Sequence, residues 1–186
     1  LSLNLANKFD IPVIILSDKN LSESSANTRD FSKENEEKVE SLKPKPGMGQ
    51  KIKLYNSYEH NEEGFSVEGS EESKKATDLR LKKTNEILKS MPKVNLFGSN
   101  RAKKIIVAWG STKGAILEAL KGMENKEDYA FLQIRGMWPL DPKIGQIINA
   151  FKEKILIENN ASGQLETLLK SQMTVEFTKR IIKYDG

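Results

Sequence analysis

The sequence predicts an α/β fold: a small three-layer domain around a mainly parallel sheet, preceded by the tail of a second α/β unit and a long polar connection. Three observations lead there. From about residue 94 onward, short branched-apolar runs alternate with amphipathic stretches of helical period, the pattern of βαβ crossovers. Each apolar run stops at a loop rich in Gly, Ser, Asn or Pro, where strands turn into helices. Upstream, the texture changes abruptly near Asn20 and again near Glu72.

Taken in order, "LSLNLANKF" suits the last turns of a helix, and "IPVIILS" (11–17) has the continuous apolar character of a strand buried on both faces. Apolar residues are then sparse from Asn20 to about Glu72. "KPKPGMGQK" (43–51) there can form neither a helix nor a central strand, because its prolines lack donors. A connection of this length is a linker or a functional loop, with a short strand conceivable at "KIKLYNSY" (51–58). "ESKKATDLRLKKTNEILKSM" (72–91) reads as a helix with apolar points at Ala76, Leu79, Leu81 and Ile87–Leu88, stopped by Pro92. A short strand "KVNLFG" follows. The regular rhythm then runs strand 104–109, helix 112–123, strand 129–134, helix 142–153, strand 154–158, helix 163–173, with "TVEF" (174–177) as a last short strand.

Composition narrows function. Among 186 residues there is no cysteine, so thiol nucleophiles, disulfides and Cys-ligated zinc or iron–sulfur clusters are excluded from this chain. One histidine, His60, excludes a multi-His metal site. The net charge of +4, from 30 basic and 26 acidic residues, describes a mixed solvated surface and no nucleic-acid footprint. The longest apolar runs fall far short of the ~20 residues that span a bilayer. The chain opens at Leu1 on what reads as a helix end feeding a strand, as a piece of something longer would.

Ligands of an open parallel sheet bind at the carboxyl ends of its strands. Three loops fall there: "GSTKG" (110–114), "RGMWPLDP" (135–142) and "ENNASGQ" (158–164). In the first, helix N–H groups and Lys113 could hold an anion, or Ser111 and Thr112 could cap the helix. Its spacing is neither a Walker A motif nor a dinucleotide fingerprint. Gly110, Thr112 and Gly114 imitate a nucleophile elbow, but no histidine follows. These residues alone favour a structural turn over a phosphate site. In the third loop Asn160 or Ser162 could cap the helix, Gly163 permits close backbone approach, and Glu158 could orient a ligand; Asn159 and Gln164 complete it. Its plainer reading is a turn. Trp138 and Met137 would be costly to expose and are expected against a neighbouring domain or subunit. His60, in "YEHNEEGFS", is first a surface-loop residue; a proton-transfer role would need a partner to supply the rest of the site.

Together, "VAWGSTKGAILEAL", "ENNASGQLETLL" and the terminal "KYDG", preceded by "PVIILSDKNLSES" and "YEHNEEG", resemble the alpha subunit of the 2-oxoacid:ferredoxin oxidoreductases. That family shows a Trp-Gly-Ser-Thr-Lys-Gly loop, a Glu-x-Asn-x-x-Gly-Gln-Leu loop and a segment like Glu-His-x-Glu-x-Gly. The likeness is strong over 94–186 and 10–24 and weak between them. No single motif is diagnostic; order and spacing make it specific.

The resemblance implies oxidative decarboxylation of a 2-oxoacid, with thiamine diphosphate, with coenzyme A as acyl acceptor, and with electrons passing through iron–sulfur clusters to ferredoxin. It implies a cytoplasmic heterodimer in which a beta subunit carries the cluster ligands. Residues 1–24 would end the pyrimidine-side thiamine-binding domain, 25–75 would be the polar connection, and 76–186 a transketolase C-terminal-like domain. The glutamate that activates thiamine lies upstream in that family, and the stretch like Asp-Gly-x-Ser-Pro-Arg before "YEHNEEG" is missing. No catalytic residue is therefore carried over. The expected role is domain and subunit assembly, with Gly110, Ser111, Thr112, Lys113, Gly114, Glu158, Asn159, Asn160, Gly163 and Gln164 forming ligand or junction loops. His60 and Trp138 would be accessory. The alternative is a stand-alone domain that binds coenzyme A or a nucleotide, or an interaction module.

Overall fold

The computed structural model describes residues 1–25, 27, 54, 56–99 and 101–185. The chain divides into two compact units, Leu1–Ile15 with Ala26–Ser90, and Leu16–Ser25 with Met91–Gly186.

In the first unit, α1 (Ser2–Phe9) buries Leu5 and Phe9 and ends at Asp10, whose φ of 55° is the left-handed conformation that a short polar side chain tolerates. The Phe9 carbonyl accepts a hydrogen bond from Lys83 Nζ at 3.1 Å. That lysine lies on α3 (Ser70–Ser90), a 21-residue helix without a buried residue, which stops two residues before Pro92 as expected. The sequence reading began the second domain at Ala76; by its contacts α3 packs with the first unit, and the second unit resumes at Met91.

The apolar segment 11–17 corrects an expectation. It is neither a strand nor buried: Ile14 is 81% exposed and Ile15 75%. A strand needs a neighbouring ladder, and none of the described residues pairs with it. The strand anticipated at 51–58 falls mainly outside the described residues; Leu54 and 56–58 are not in a strand.

The second unit holds a short helix, α2 (Lys19–Glu23), and a five-stranded sheet of order β1-β3-β2-β4-β5. Its strands are β1 (Asn95–Gly98), β2 (Lys104–Trp109), β3 (Tyr129–Ile134), β4 (Glu153–Glu158) and β5 (Lys179–Ile182). All neighbours are parallel except β1, which pairs antiparallel with β3. The last strand is shifted from the expected 174–177. Val175 is instead an anchor in the core at 2% exposure, and pairing begins only where Ile155 faces Lys179. An edge strand reading Lys-Arg-Ile-Ile has too little alternation to be picked out.

The period of two along β2 separates the two faces. Ile105 and Val107 join Leu132, Ile144, Ile148, Leu165 and Leu169 under α5 (Lys143–Asn149) and α6 (Gln164–Gln172). Ile106 and Ala108 point the other way, onto Phe131 and Ile116 of α4 (Thr112–Lys121). The result is helix, sheet, helix: three layers, as the alternation predicted.

Candidate functional site

The topology creates one crevice. From β2 the chain crosses by α4 to β3 on one side, and from β4 it crosses by α6 to β5 on the other. The carboxyl ends of adjacent β2 and β4 are thus the switch point, where departing connections leave a gap for a ligand or a neighbour. The loops 110–114 and 158–164 flank it, and 135–142 leaves the next strand, β3.

The first loop turns on Gly110 at φ +62°, where any side chain would be strained although space around it is open. Ser111 and Thr112 were expected to cap α4, but neither side chain does so. Thr112 Oγ1 instead donates backward to the Trp109 carbonyl at 2.6 Å, tying the helix start to the strand end. Lys113 places its ammonium 5.4 Å from the centre of the Phe97 ring, which itself stacks on Phe131 at 5.4 Å and 16°. A cation held over an aromatic face at an exposed site gains about 0.5–1 kcal/mol. A Cβ on Gly114 would meet nothing within 4 Å. Beside this loop, the Trp109 indole Nε1 is buried with no acceptor among the described residues.

The loop after β4 is organised by acids. Glu158 is 1% exposed, and its carboxylate accepts from the backbone N–H of Leu165 at 2.9 Å, from that of Glu166 at 3.2 Å, and from Asn160 Nδ2 at 2.6 Å. Asn160 Oδ1 in turn accepts from Gly163 N at 2.7 Å and Gln164 N at 3.2 Å. The N-cap position is Gly163; Asn160 meets the N–H groups there from upstream in the loop, where Asn160 or Ser162 had been expected to cap. Glu166, 7% exposed, pairs with Lys170 Nζ at 2.9 Å and Arg180 Nε at 2.8 Å. Asn159, Ser162 and Gln164 are exposed.

Gly163 is required on two counts: φ is +67°, and a Cβ would lie 2.7 Å from Arg180 Nη2. Gly163→Ala should therefore lower stability by about 1–3 kcal/mol, from left-handed strain plus a displaced ion pair. A chemical denaturation midpoint measures this, and a change under about 0.5 kcal/mol would contradict the geometry.

In the middle loop, Met137 packs against the core of its own domain and Leu140 is 8% exposed, whereas Trp138 stands out at 62%. The two were expected to share a neighbour; only Trp138 is left to meet one. His60 lies in the first unit, in a tight turn closed by its bridge to Ser66. Its Nδ1 is 3.0 Å from the Tyr58 carbonyl, an acceptor that suits the tautomer with its proton on Nδ1. Next to it, a hydrogen bond from Arg80 at 2.8 Å holds the Glu59 carboxyl below its ordinary range.

Sequence reasoning passed over Trp109, Glu166 and Arg180. Trp109 read as a strand end, and the acid and base are 14 residues apart on separate elements, so no local spacing joins them.

No family model matches the chain. Over 213 aligned positions, however, all of it matches the 2-oxoacid:ferredoxin oxidoreductase subunit alpha of Saccharolobus solfataricus at 32% identity. The chain is a homologue of the 2-oxoacid:ferredoxin oxidoreductase alpha subunits. Subunit alpha of 2-oxoacid:ferredoxin oxidoreductase 1 of Sulfurisphaera tokodaii is 27% identical, and subunit alpha of oxidoreductase 2 of Aeropyrum pernix 26%, each again over the whole chain. The chain spans about a third of the length of these alpha subunits, 34% in the first and 33% in the other two. In fold it matches the 2-oxoglutarate:ferredoxin oxidoreductase of Magnetococcus marinus, solved with 2-oxoglutarate, coenzyme A and succinyl-CoA bound. The TM-score is 0.75 at 21% identity, covering 97% of this chain and 35% of that one.

Proposed function

We propose that this chain is the C-terminal part of the alpha subunit of a 2-oxoacid:ferredoxin oxidoreductase, contributing domain and subunit assembly to the enzyme. The observation that carries the reading is the end-to-end match to alpha subunits about three times as long. On this reading residues 1–24 close a pyrimidine-side thiamine-binding domain, 25–90 connect, with α3 among them, and the sheet-bearing part from Met91 onward is the transketolase C-terminal-like domain. A beta subunit and ferredoxin are the partners, coenzyme A the co-substrate, and the cytoplasm the location. Among the described residues no helix is long and apolar enough to cross a membrane.

Thiamine diphosphate and iron–sulfur clusters belong to the proposed complex, but the residues of this chain do not fit them. It has no cysteine for a cluster. Among the described residues the two buried acids are already engaged, Glu158 by the start of α6 and Glu166 by Lys170 and Arg180, so neither is free to meet a cofactor nitrogen or metal. No step of the reaction is routed through them.

One observation favours a second reading, an anion-binding domain: the start of α4 has no side-chain cap and Lys113 stands at it. Lys113→Ala in the reconstituted complex separates the two. Under the assembly reading, turnover stays within about threefold and stability falls by less than ~1 kcal/mol, the lost contact with Phe97. Loss of a charge-assisted bond to coenzyme A or another anion would cost about 1.5–3 kcal/mol, tenfold or more in activity.

A further inference from the structure

We infer that Glu158 is a positioning residue: its buried carboxylate occupies the start of α6 as a built-in anion and holds loop 159–163 in one shape. Glu158 is 1% exposed, and no lysine or arginine forms a salt bridge with it among the described residues. A buried carboxylate without a cation must be met by hydrogen bonds and by the positive end of a helix. Both are present. Leu165 and Glu166, at the second and third positions of α6, donate their N–H groups to it, and Asn160 donates from the side. Asn160 then turns its oxygen to the N–H groups of Gly163 and Gln164.

Every free N–H at the start of this helix is thereby satisfied from within the chain. Two loops border the crevice, and this one is closed to a phosphate or carboxylate ligand. What it offers outward is uncharged: the exposed side chains of Asn159, Ser162 and Gln164. It suits amide and hydroxyl groups of a protein neighbour, and this consequence rests on the assembly reading above, whereas the positioning itself does not. The first turn of α6 has further ties, from Thr167 Oγ1 and N–H to the Gly163 carbonyl and from Glu166 to Arg180 of β5. Between Glu158 and Gly163, the side-chain hydrogen bonds that shape the loop from its strand side come from Glu158 and Asn160.

The test uses the intact oxidoreductase with Glu158→Ala, read by amide hydrogen exchange with and without added formate or formamide. Exchange at Gly163, Leu165 and Glu166 should rise by about tenfold or more, as a local opening does. Formate, which can refill the vacated place as an anion, should restore protection, and the equally small but neutral formamide should not. Equal rescue by both, or unchanged exchange, overturns the proposal. Should Glu158→Ala fail to fold, Glu158→Gln keeps the volume and removes the charge; protection at these amides equal to that of the parent overturns the proposal equally. Subunit association, followed in the same samples, is separate: a loosened loop with undisturbed association would refute the assembly reading and leave the positioning role standing.

Discussion

Phe131→Ala should be the most damaging single substitution in the second unit, lowering stability by about 3–5 kcal/mol. Phe131 is fully buried on β3, which lies between β1 and β2, and fills the face shared by Ile106, Ala108 and Ile116. Truncation removes the transfer free energy of the ring and leaves a cavity in the layer under α4. It also removes the ring stacked on Phe97, a pair worth about 0.5–1.5 kcal/mol beyond its area. The position of Lys113 rests on the same stack, so its ammonium would lose its platform indirectly. Leu96→Ala is the control: 42% exposed on the edge strand, it should cost less than about 1 kcal/mol. Comparable losses at the two sites, read by denaturant titration, would contradict the core as described.

The second large effect concerns association. Under the proposed assembly role, Trp138→Ala should weaken binding of the partner subunit by about 2–4 kcal/mol, as truncation of a central aromatic anchor does. Its effect on folding should be small, because Leu140 and Met137 hold the loop to the core while the indole projects outward. An exposed tryptophan on a loop so fixed presents a large rigid surface at little entropic cost. Titration calorimetry of the alpha and beta subunits measures the first quantity and thermal melting the second. A variant that melts early but associates normally would show that Trp138 serves its own domain.

Much of the fold was legible because local pattern and global topology agree. Strands 104–109 and 129–134 are continuous branched or aromatic runs bounded by Gly, Lys and Arg, and both form as read. Helix α3 needed only its charge pattern and Pro92. Where the pattern misled, a tertiary condition was missing. "IPVIIL" has the composition of a buried strand, but composition cannot supply the neighbours that a ladder requires, and Ile14 and Ile15 stand exposed. "TVEF" was expected as a last short strand; its Val175 and Phe177 instead serve the core of the α5–α6 face from a connecting segment.

The candidate loops were recognisable by their turn residues, and the switch point follows from the strand order. The roles inside them were not. Ser111 and Thr112 have good capping chemistry, yet the hydroxyl of Thr112 finds the Trp109 carbonyl first. Glu158 was visible as an acid at a strand end, a place that suggests a ligand. Only the backward run of α6, which brings the N–H groups of Leu165 and Glu166 onto that carboxylate, shows that its partner is internal. The resemblance in loop order and spacing, by contrast, needed no geometry, and the relatives match along the whole chain.

The proposed role places this segment inside a larger alpha subunit, holding it to its partner. Purification of the native protein from its source, followed by native and intact mass spectrometry, tests that most directly. The account predicts a polypeptide well above 21.0 kDa that carries a cysteine-containing partner subunit. A species of 21.0 kDa that remains alone, and binds coenzyme A or turns over a 2-oxoacid by itself, would contradict it.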